Sequence, residues 1–268
     1  MKVAILNKTK QKAGERELPL QFGESYRPDL IKRAVLALLS AARQPYGAHV
    51  GAGKRHSSTV SKRRRDYRGS YGFGISRVNR KVLSRRGTRM FWVGAFSPHT
   101  RGGFRAHPPK VEKVFEQKIN QKENQKAIRS AMAATMDPSL VKGRGHHIPS
   151  EYPFIVDGSF ESLVRTRDVE DALVTLGFTD ELARTSIRKI RAGKGKARGR
   201  KYSQRKGILL VVSGVCPLVK AAQSLPGVDV AVVNALNAHL LAPGSLPGRV
   251  TLWTEKAIEL IQKNHLYN

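Results

Sequence analysis

Bases crowd two segments, and in the longer of them they are interleaved with aromatic rings, the residue types whose spacing best fits a chemistry. Residues 45–110 hold 16 Lys and Arg against one acid, Asp66, a net of +15. Residues 191–206 hold eight Lys and Arg and no acid, a net of +8. Eight of the chain's 18 aromatics lie in the first segment: Tyr46, Tyr67, Tyr71, Phe73, Phe91, Trp92, Phe96 and Phe104. A merely solvating charged linker carries few rings. RNA uses both residue types, because its phosphates take the cations while splayed bases stack on aromatics. The expected phosphate contacts are Arg43, Lys54, Arg55, Lys62, Arg63, Arg64, Arg65, Arg68, Arg77, Arg80, Lys81, Arg85, Arg86, Arg89, Arg101, Arg105 and Lys110. In the second segment they are Lys194, Lys196, Arg198, Arg200, Lys201, Arg205 and Lys206. Tyr46, Tyr67, Tyr71, Phe73, Phe91 and Trp92 are the candidate stacking rings. The ten glycines of residues 45–110 suit close approach of backbone to phosphate.

Other groupings begin a chemical motif and do not complete it. Gly193-Lys194-Gly195-Lys196-Ala197-Arg198 opens like the dinucleotide-binding turn G-x-G-x-x-G, but arginine replaces the third glycine and a helical pattern, not a strand, precedes it. Residues 48–55, the nearest approach to a P-loop, lack its first glycine and the hydroxyl that would meet Mg2+. His146 and His147 have no third ligand at metal spacing, so a solvated or RNA-facing loop is expected there. Cys216, before Pro217, has no local base to activate it and is read as a packing residue. Trp253 and Phe154 lie on strand patterns and are read as core, and the Lys118 to Lys126 stretch as a solvated helix face. No catalytic residue, metal site or cofactor is expected; any Mg2+ would belong to the RNA.

The elements that must position the two segments are legible in the remaining residues. The chain of 268 residues has 49 Lys and Arg against 20 Asp and Glu, a formal net charge of +29. The 186 residues outside the two segments hold 25 bases and 19 acids, an ordinary balance, so two basic segments interrupt an ordinary globular protein. At 40% hydrophobic residues the chain can bury a core, which excludes a wholly disordered tail. One cysteine excludes a disulfide framework and fits a reducing compartment. The N-terminus turns polar at Asn7, and the longest apolar run, 208–212, is far below the roughly 18 residues a bilayer span needs, so an intracellular protein with no membrane partner is expected.

Helical spacing of Leu30, Ile31, Ala34, Val35, Leu38 and Ala42 follows Pro28, and a second helical phase runs through Val111, Val114, Phe115, Ile119, Ile128, Ala131 and Met132. These two helices bracket the first basic segment. Strands are predicted at 3–6, 154–156, 208–212, 228–233 and 250–253, with 208–212 central, and helices at 169–176, 181–190, 218–224, 236–241 and 255–262. The pattern predicts an α/β fold: a mostly parallel sheet with helices on both faces, Rossmann-like without the dinucleotide fingerprint, plus a long irregular basic loop. In this reading 1–44 and 111–268 form one globular domain, 45–110 is inserted in it, and 191–206 is a second basic loop. Neither basic segment shows a sustained apolar period, so each is expected to be irregular and to order on RNA. An RNA-acting enzyme using the α/β domain for a nucleotide cofactor is the alternative, and a DNA-compacting protein a third class.

Several blocks resemble the large-subunit ribosomal protein L-four family in its archaeal form. They are Arg43-Gln44-Pro45-Tyr46-Gly47, Ala106-His107-Pro108-Pro109-Lys110 with Ala127-Ile128-Arg129-Ser130-Ala131, Lys194-Gly195-Lys196-Ala197-Arg198-Gly199-Arg200-Lys201, Ala242-Pro243-Gly244 and Pro247-Gly248-Arg249-Val250-Thr251, in the family's order. The resemblance implies a non-catalytic constituent of the large ribosomal subunit in the cytoplasm. It implies an α/β domain on the subunit's solvent side and a loop, here 45–110, reaching through rRNA to the wall and constriction of the peptide exit tunnel. Implied partners are large-subunit rRNA, neighbouring ribosomal proteins including the other tunnel-loop protein, and the nascent peptide. The implied tip is Arg68, Gly69, Ser70, Tyr71, Gly72, Phe73 and Gly74. Eukaryotic relatives carry long C-terminal extensions, so an end at Asn268 favours an archaeal source. Residues 75–96 are richer in Arg and aromatics than the family pattern.

Overall fold

The strands, in chain order, are β1 (Lys2–Leu6), β2 (Lys12–Glu17), β3 (Arg80–Arg86), β4 (Arg89–Gly94), β5 (Ile155–Val156), β6 (Arg188–Ile190), β7 (Tyr202–Gln204), β8 (Leu209–Val212), β9 (Asp229–Val232) and β10 (Thr251–Thr254). The helices are α1 (Pro28–Ala41), α2 (Gln121–Thr135), α3 (Pro138–Gly143), α4 (Thr166–Thr175), α5 (Thr179–Ser186), α6 (Pro217–Gln223), α7 (Ala238–Leu241) and α8 (Glu255–Lys263). This computed structural model describes every residue except Gly53, Lys54, His56, Ser57, Thr59, Tyr67, Arg68 and Thr88. The expectations placed on Lys54, Tyr67 and Arg68 therefore lie outside the described residues. The chain divides into two units, one of Met1–Ala42 with Glu116–Asn268 and one of Arg43–Phe115.

The first unit is a six-stranded sheet in the order β2-β1-β5-β10-β8-β9. Its strands run parallel except β2, which pairs antiparallel with β1 at one edge. Strand β8 is internal, held by β10 on one side and β9 on the other, and all four of its residues are buried. Successive side chains leave a strand on opposite faces. Thus Val3, Ile5, Leu209, Val211 and Trp253 join the core under α1, α2, α7 and α8, while Leu6, Val156, Leu210, Val212 and Leu252 join the core under α4 and α6. Both faces are covered, which is why the strands read as continuous apolar runs. Counted in chain order, the parallel strands lie across the sheet as 1-2-5-3-4. That is not the 3-2-1-4-5-6 order of the dinucleotide-binding fold, so the Rossmann-like expectation does not extend to topology.

Helix α1 begins at Pro28, whose fixed φ and missing N–H suit a first turn, and buries Ile31, Ala34, Val35 and Ala37. Helix α2 meets it with a face of small residues, Ala127, Ser130, Ala131 and Ala134, which lets the helices approach closely. Ser130 donates to the Ser25 carbonyl at 2.8 Å and accepts from the Arg27 N–H at 2.7 Å, fixing the entry to α1. Trp253 and Phe154 are fully buried, as expected of core residues.

Two expectations need correction, and one strand was not expected. The helical phase through Val111, Val114 and Phe115 does not form a helix; α2 starts at Gln121, and Val111 and Val114 are 60% and 80% exposed. Within this chain no apolar face is buried by coiling those residues, and periodicity without burial does not hold a short helix. The helix predicted over 181–190 ends at Ser186, and 188–190 becomes β6. Strand β2 went unpredicted because its sequence, Lys-Ala-Gly-Glu-Arg-Glu, is that of a polar edge strand, which carries charge instead of an apolar row.

Candidate nucleic-acid interface

The second unit contains a two-stranded antiparallel hairpin of β3 and β4, where the sequence pattern suggests irregular chain throughout. Its register shifts between Val82 and Ser84, leaving Leu83 over as a bulge residue that is 66% exposed. That extra residue breaks the two-residue alternation and hides the hairpin from a periodicity search. Phe91 pairs with Ser84 and Trp92 with Val82, so the two adjacent rings leave β4 on opposite faces. Each ring carries an arginine: the Arg89 guanidinium lies 5.1 Å from the Phe91 centroid and that of Arg80 lies 5.3 Å from the Trp92 centroid. Tyr71 is covered likewise by Arg77 at 4.0 Å. Arginines at this spacing hold an exposed ring for only about 0.5–1 kcal/mol, whereas a stacked base contributes roughly 1–3 kcal/mol. A base can therefore displace the guanidinium, which is then free to take a phosphate.

Two tight crossings shape the rest of this unit. The Ala48 N–H donates to the Pro109 carbonyl at 3.1 Å, and a Cβ on Gly47 would stand 2.7 Å from a Val111 methyl carbon. Only glycine fits there, so the two ends of the segment are pressed together. Residues 97–103 close on themselves: the Thr100 hydroxyl donates to the Ser97 carbonyl at 2.7 Å and the Gly103 N–H to the Thr100 carbonyl at 2.9 Å. Arg43, Arg55, Lys62, Arg63, Arg64, Arg65, Arg77, Lys81, Arg85, Arg86, Arg89, Arg101, Arg105 and Lys110 are exposed, and Arg80 is half-buried. Of the candidate rings, Tyr46, Phe73 and Phe91 are exposed, and Tyr71 and Trp92 half-buried. At the implied tip, Ser70 is buried while Gly72, Phe73 and Gly74 are exposed, with positive φ at Gly72 and Gly74.

The second basic segment is also a hairpin, β6 with β7, and Lys194–Arg198 forms a turn of 3-10 helix at its end. Gly193 and Gly199 flank that turn at φ 76° and 75°, a left-handed conformation in which a side chain is strained. The Arg191 N–H donates to the Lys201 carbonyl and the Arg200 N–H to the Gly195 carbonyl, at 2.8 and 3.1 Å. Lys194, Lys196, Arg198, Arg200, Lys201, Arg205 and Lys206 are all exposed. Tyr202 was not among the expected stacking rings. The Arg188 guanidinium lies 4.3 Å from its centroid and Lys201 Nζ 5.5 Å, the same arrangement as in the longer segment, and its flanking bases were the available signal.

A buried polar network roots this hairpin in the first unit. Glu181, fully buried, accepts from Arg184 Nη2 at 2.6 Å and Nε at 2.8 Å and from the His147 N–H at 3.1 Å, and His146 Nδ1 lies 2.7 Å from it. Burial opposes the charge on Glu181, but these hydrogen bonds outweigh it and hold the carboxyl at about 2. Arg184 also donates to the Lys206 carbonyl at 2.8 Å. Arg249, 1% exposed, donates to the Gly207, Leu240 and Ile208 carbonyls and to Asp229 at 2.6 Å. Desolvation lowers the His146 pKa, outweighing the raising effect of Glu181. The expectation of a solvated or RNA-facing His146 is thereby corrected: it is a buried residue whose partner, Glu181, lies too far along the sequence to be read from spacing. Among the described residues no group of three metal-ligating side chains occurs.

Ligands of an open α/β sheet sit outside the carboxyl ends of its strands. Here that position, at the ends of β8 and β10, holds the side chain of Glu161. Its carboxylate accepts from the Ser213 N–H at 2.9 Å, the Ser213 hydroxyl at 2.7 Å and the Thr254 hydroxyl at 2.7 Å. A carboxylate in this place repels a phosphate. Cys216 nearby is half-buried, and desolvation raises its thiol pKa, the opposite of what a nucleophile needs.

Comparison with known proteins places the chain in a family. Residues 16–264 match the family described as "Ribosomal protein L4/L1 family". Proteins named "Large ribosomal subunit protein uL4" are similar over essentially the whole chain: the one from Nanoarchaeum equitans is 48% identical with 100% of each chain covered. The one from Methanococcus maripaludis is 44% identical over 97% of this chain and 98% of its own. That from Archaeoglobus fulgidus is also 44% identical, over 97% and 98%. Matched by the family over residues 16–264 and similar to archaeal relatives over its full length, the chain belongs to the ribosomal protein L4/L1 family.

Proposed function

We propose that the chain is a structural, non-catalytic constituent of the large ribosomal subunit, in which residues 45–110 and 191–206 bind rRNA and the longer segment reaches the wall and constriction of the peptide exit tunnel. The supporting observation is the pairing of family membership with two segments whose bases are not matched by acids of their own and whose described bases are almost all exposed. Lys and Arg neutralise closely packed phosphates and displace counterions, and Arg can fork across two oxygens. The rings take unstacked bases. The first unit supplies the platform on which the second hairpin is held, Arg184 donating to the Lys206 carbonyl at the end of the segment. Residues 68–74, with exposed Phe73, form the tip that faces the tunnel beside the loop of a neighbouring ribosomal protein.

The test is sedimentation of a native lysate through a sucrose gradient at physiological salt and Mg2+, following this chain before and after ribonuclease. Co-migration with the large subunit, abolished by ribonuclease, is expected. A chain that stays near the top of the gradient in both cases would overturn the assignment.

A further inference from the structure

Within the second unit, Tyr46, the run from Arg105 to Lys110, Glu112, Lys113 and Phe115 line an open cavity of about 660 Å³. From its contents we infer that it is a pocket for a single extruded guanine base of RNA. The inference rests on the proposed rRNA-binding role and gives it a base-specific contact. Tyr46 and Phe115 present nearly parallel rings, 9° apart with centroids 6.1 Å apart, and Tyr46 is 57% exposed. Arg43 lies over the Phe115 ring at 4.2 Å. The walls are preformed, since Pro108 and Pro109 fix their backbone and the Gly47 to Val111 crossing pins the base of the pocket.

The cavity is larger than one base and admits a nucleotide with its sugar and phosphate, within the roughly 300 to 1,000 Å³ of ordinary ligand pockets. The polar lining selects among bases. Of the charged lining, Arg105, Lys110 and Lys113 offer only donors and Glu112 only acceptors, while His107 and the Tyr46 hydroxyl can adapt to either. Guanine alone of the four bases presents two acceptors, O6 and N7, on one edge and two neighbouring donors, N1–H and the N2 amine, for a carboxylate on another. Adenine puts its amine where the cations need an acceptor. Pyrimidines present a smaller stacking face. A base delivered in this way must be unpaired, because a carboxylate bonded to the Watson–Crick edge replaces its partner.

The test uses the full chain, with amide NMR shifts of residues 105–115 followed during titration with GMP, AMP, CMP and UMP. The four nucleotides carry the same phosphate, so the +29 charge of the protein attracts them alike and any difference reports the base. The expected result is GMP binding about fivefold or more tighter than AMP, weakened by about fivefold or more in Tyr46→Ala through lost stacking. Glu112→Gln is expected to abolish the preference for GMP, and neither variant to change thermal unfolding by more than a few degrees. Equal affinity for the four nucleotides, or a preference for GMP that survives Glu112→Gln, would overturn the pocket. If that happens while the chain still sediments with the large subunit, the base-specific contact falls and the ribosomal role stands; loss of co-sedimentation removes both.

Discussion

At the scale of single residues, buried charge is kept for holding and exposed charge for binding. Glu181 illustrates the first use. Its folded-state pKa of about 2 lies below the ordinary value of 4.5, so the stabilisation it contributes is complete above pH 4.5 and is lost as pH falls through 2. A shift of that size corresponds to a few kcal/mol. Glu181→Gln should therefore lower stability by about 3–5 kcal/mol near neutral pH, because Arg184 is left beside it without a counter-charge. The variant should also lack its share of the acid-induced loss between pH 4.5 and 2. Thermal unfolding of both proteins across that range checks the prediction; parallel pH profiles would contradict it. The Arg184 partner lies at helical i,i+3 spacing, but no sequence spacing announces the histidine side of the network, since His146 and His147 lie 35 and 34 positions away.

At the scale of elements, the apolar pattern was a good guide wherever burial enforces it. Strand β8 and helices α1 and α8 were legible because their faces are covered. The pattern failed where an element owes its shape to something else. Strands β3 and β4 are hydrogen-bonded through a bulge and largely exposed, β2 is a charged edge, and Val111 and Val114 keep helical spacing while lying exposed. By contrast, charge marked both hairpins, and ring interleaving marked the longer segment. The second hairpin offers the cleaner test, because Lys196, Arg198, Arg200 and Lys201 are exposed and remote from the Glu181 network's hydrogen bonds. Changing all four to Ala should weaken rRNA binding and reduce the salt dependence of log K by about 0.7–0.9 for each lost phosphate contact. Thermal unfolding should move by no more than a few degrees. Unaltered binding, measured by filter retention against salt, would refute a phosphate-contacting role.

For the whole molecule, the buried cores lie in one of the two units. The first holds both buried cores, whose residues all fall in Met1–Ala42 and Glu116–Asn268. Deleting residues 55–105 should accordingly leave a cooperatively folding protein that no longer supports assembly of the large subunit; circular dichroism and gradient profiles of the deletion strain report the two halves of that statement. If about ten bases of the intact chain contact phosphates, log K should fall against log salt with a slope of roughly −7 to −9. The central claim, that the two basic hairpin segments are the RNA-binding surface, is tested most directly by ultraviolet cross-linking of purified large subunits, with the cross-linked peptides of this chain read by mass spectrometry. Cross-links concentrated in residues 43–115 and 188–206, with Tyr46, Tyr71, Phe91, Trp92 or Tyr202 among the attachment points, are the predicted result. Cross-links confined to the helices of the first unit, with both segments bare, would contradict it.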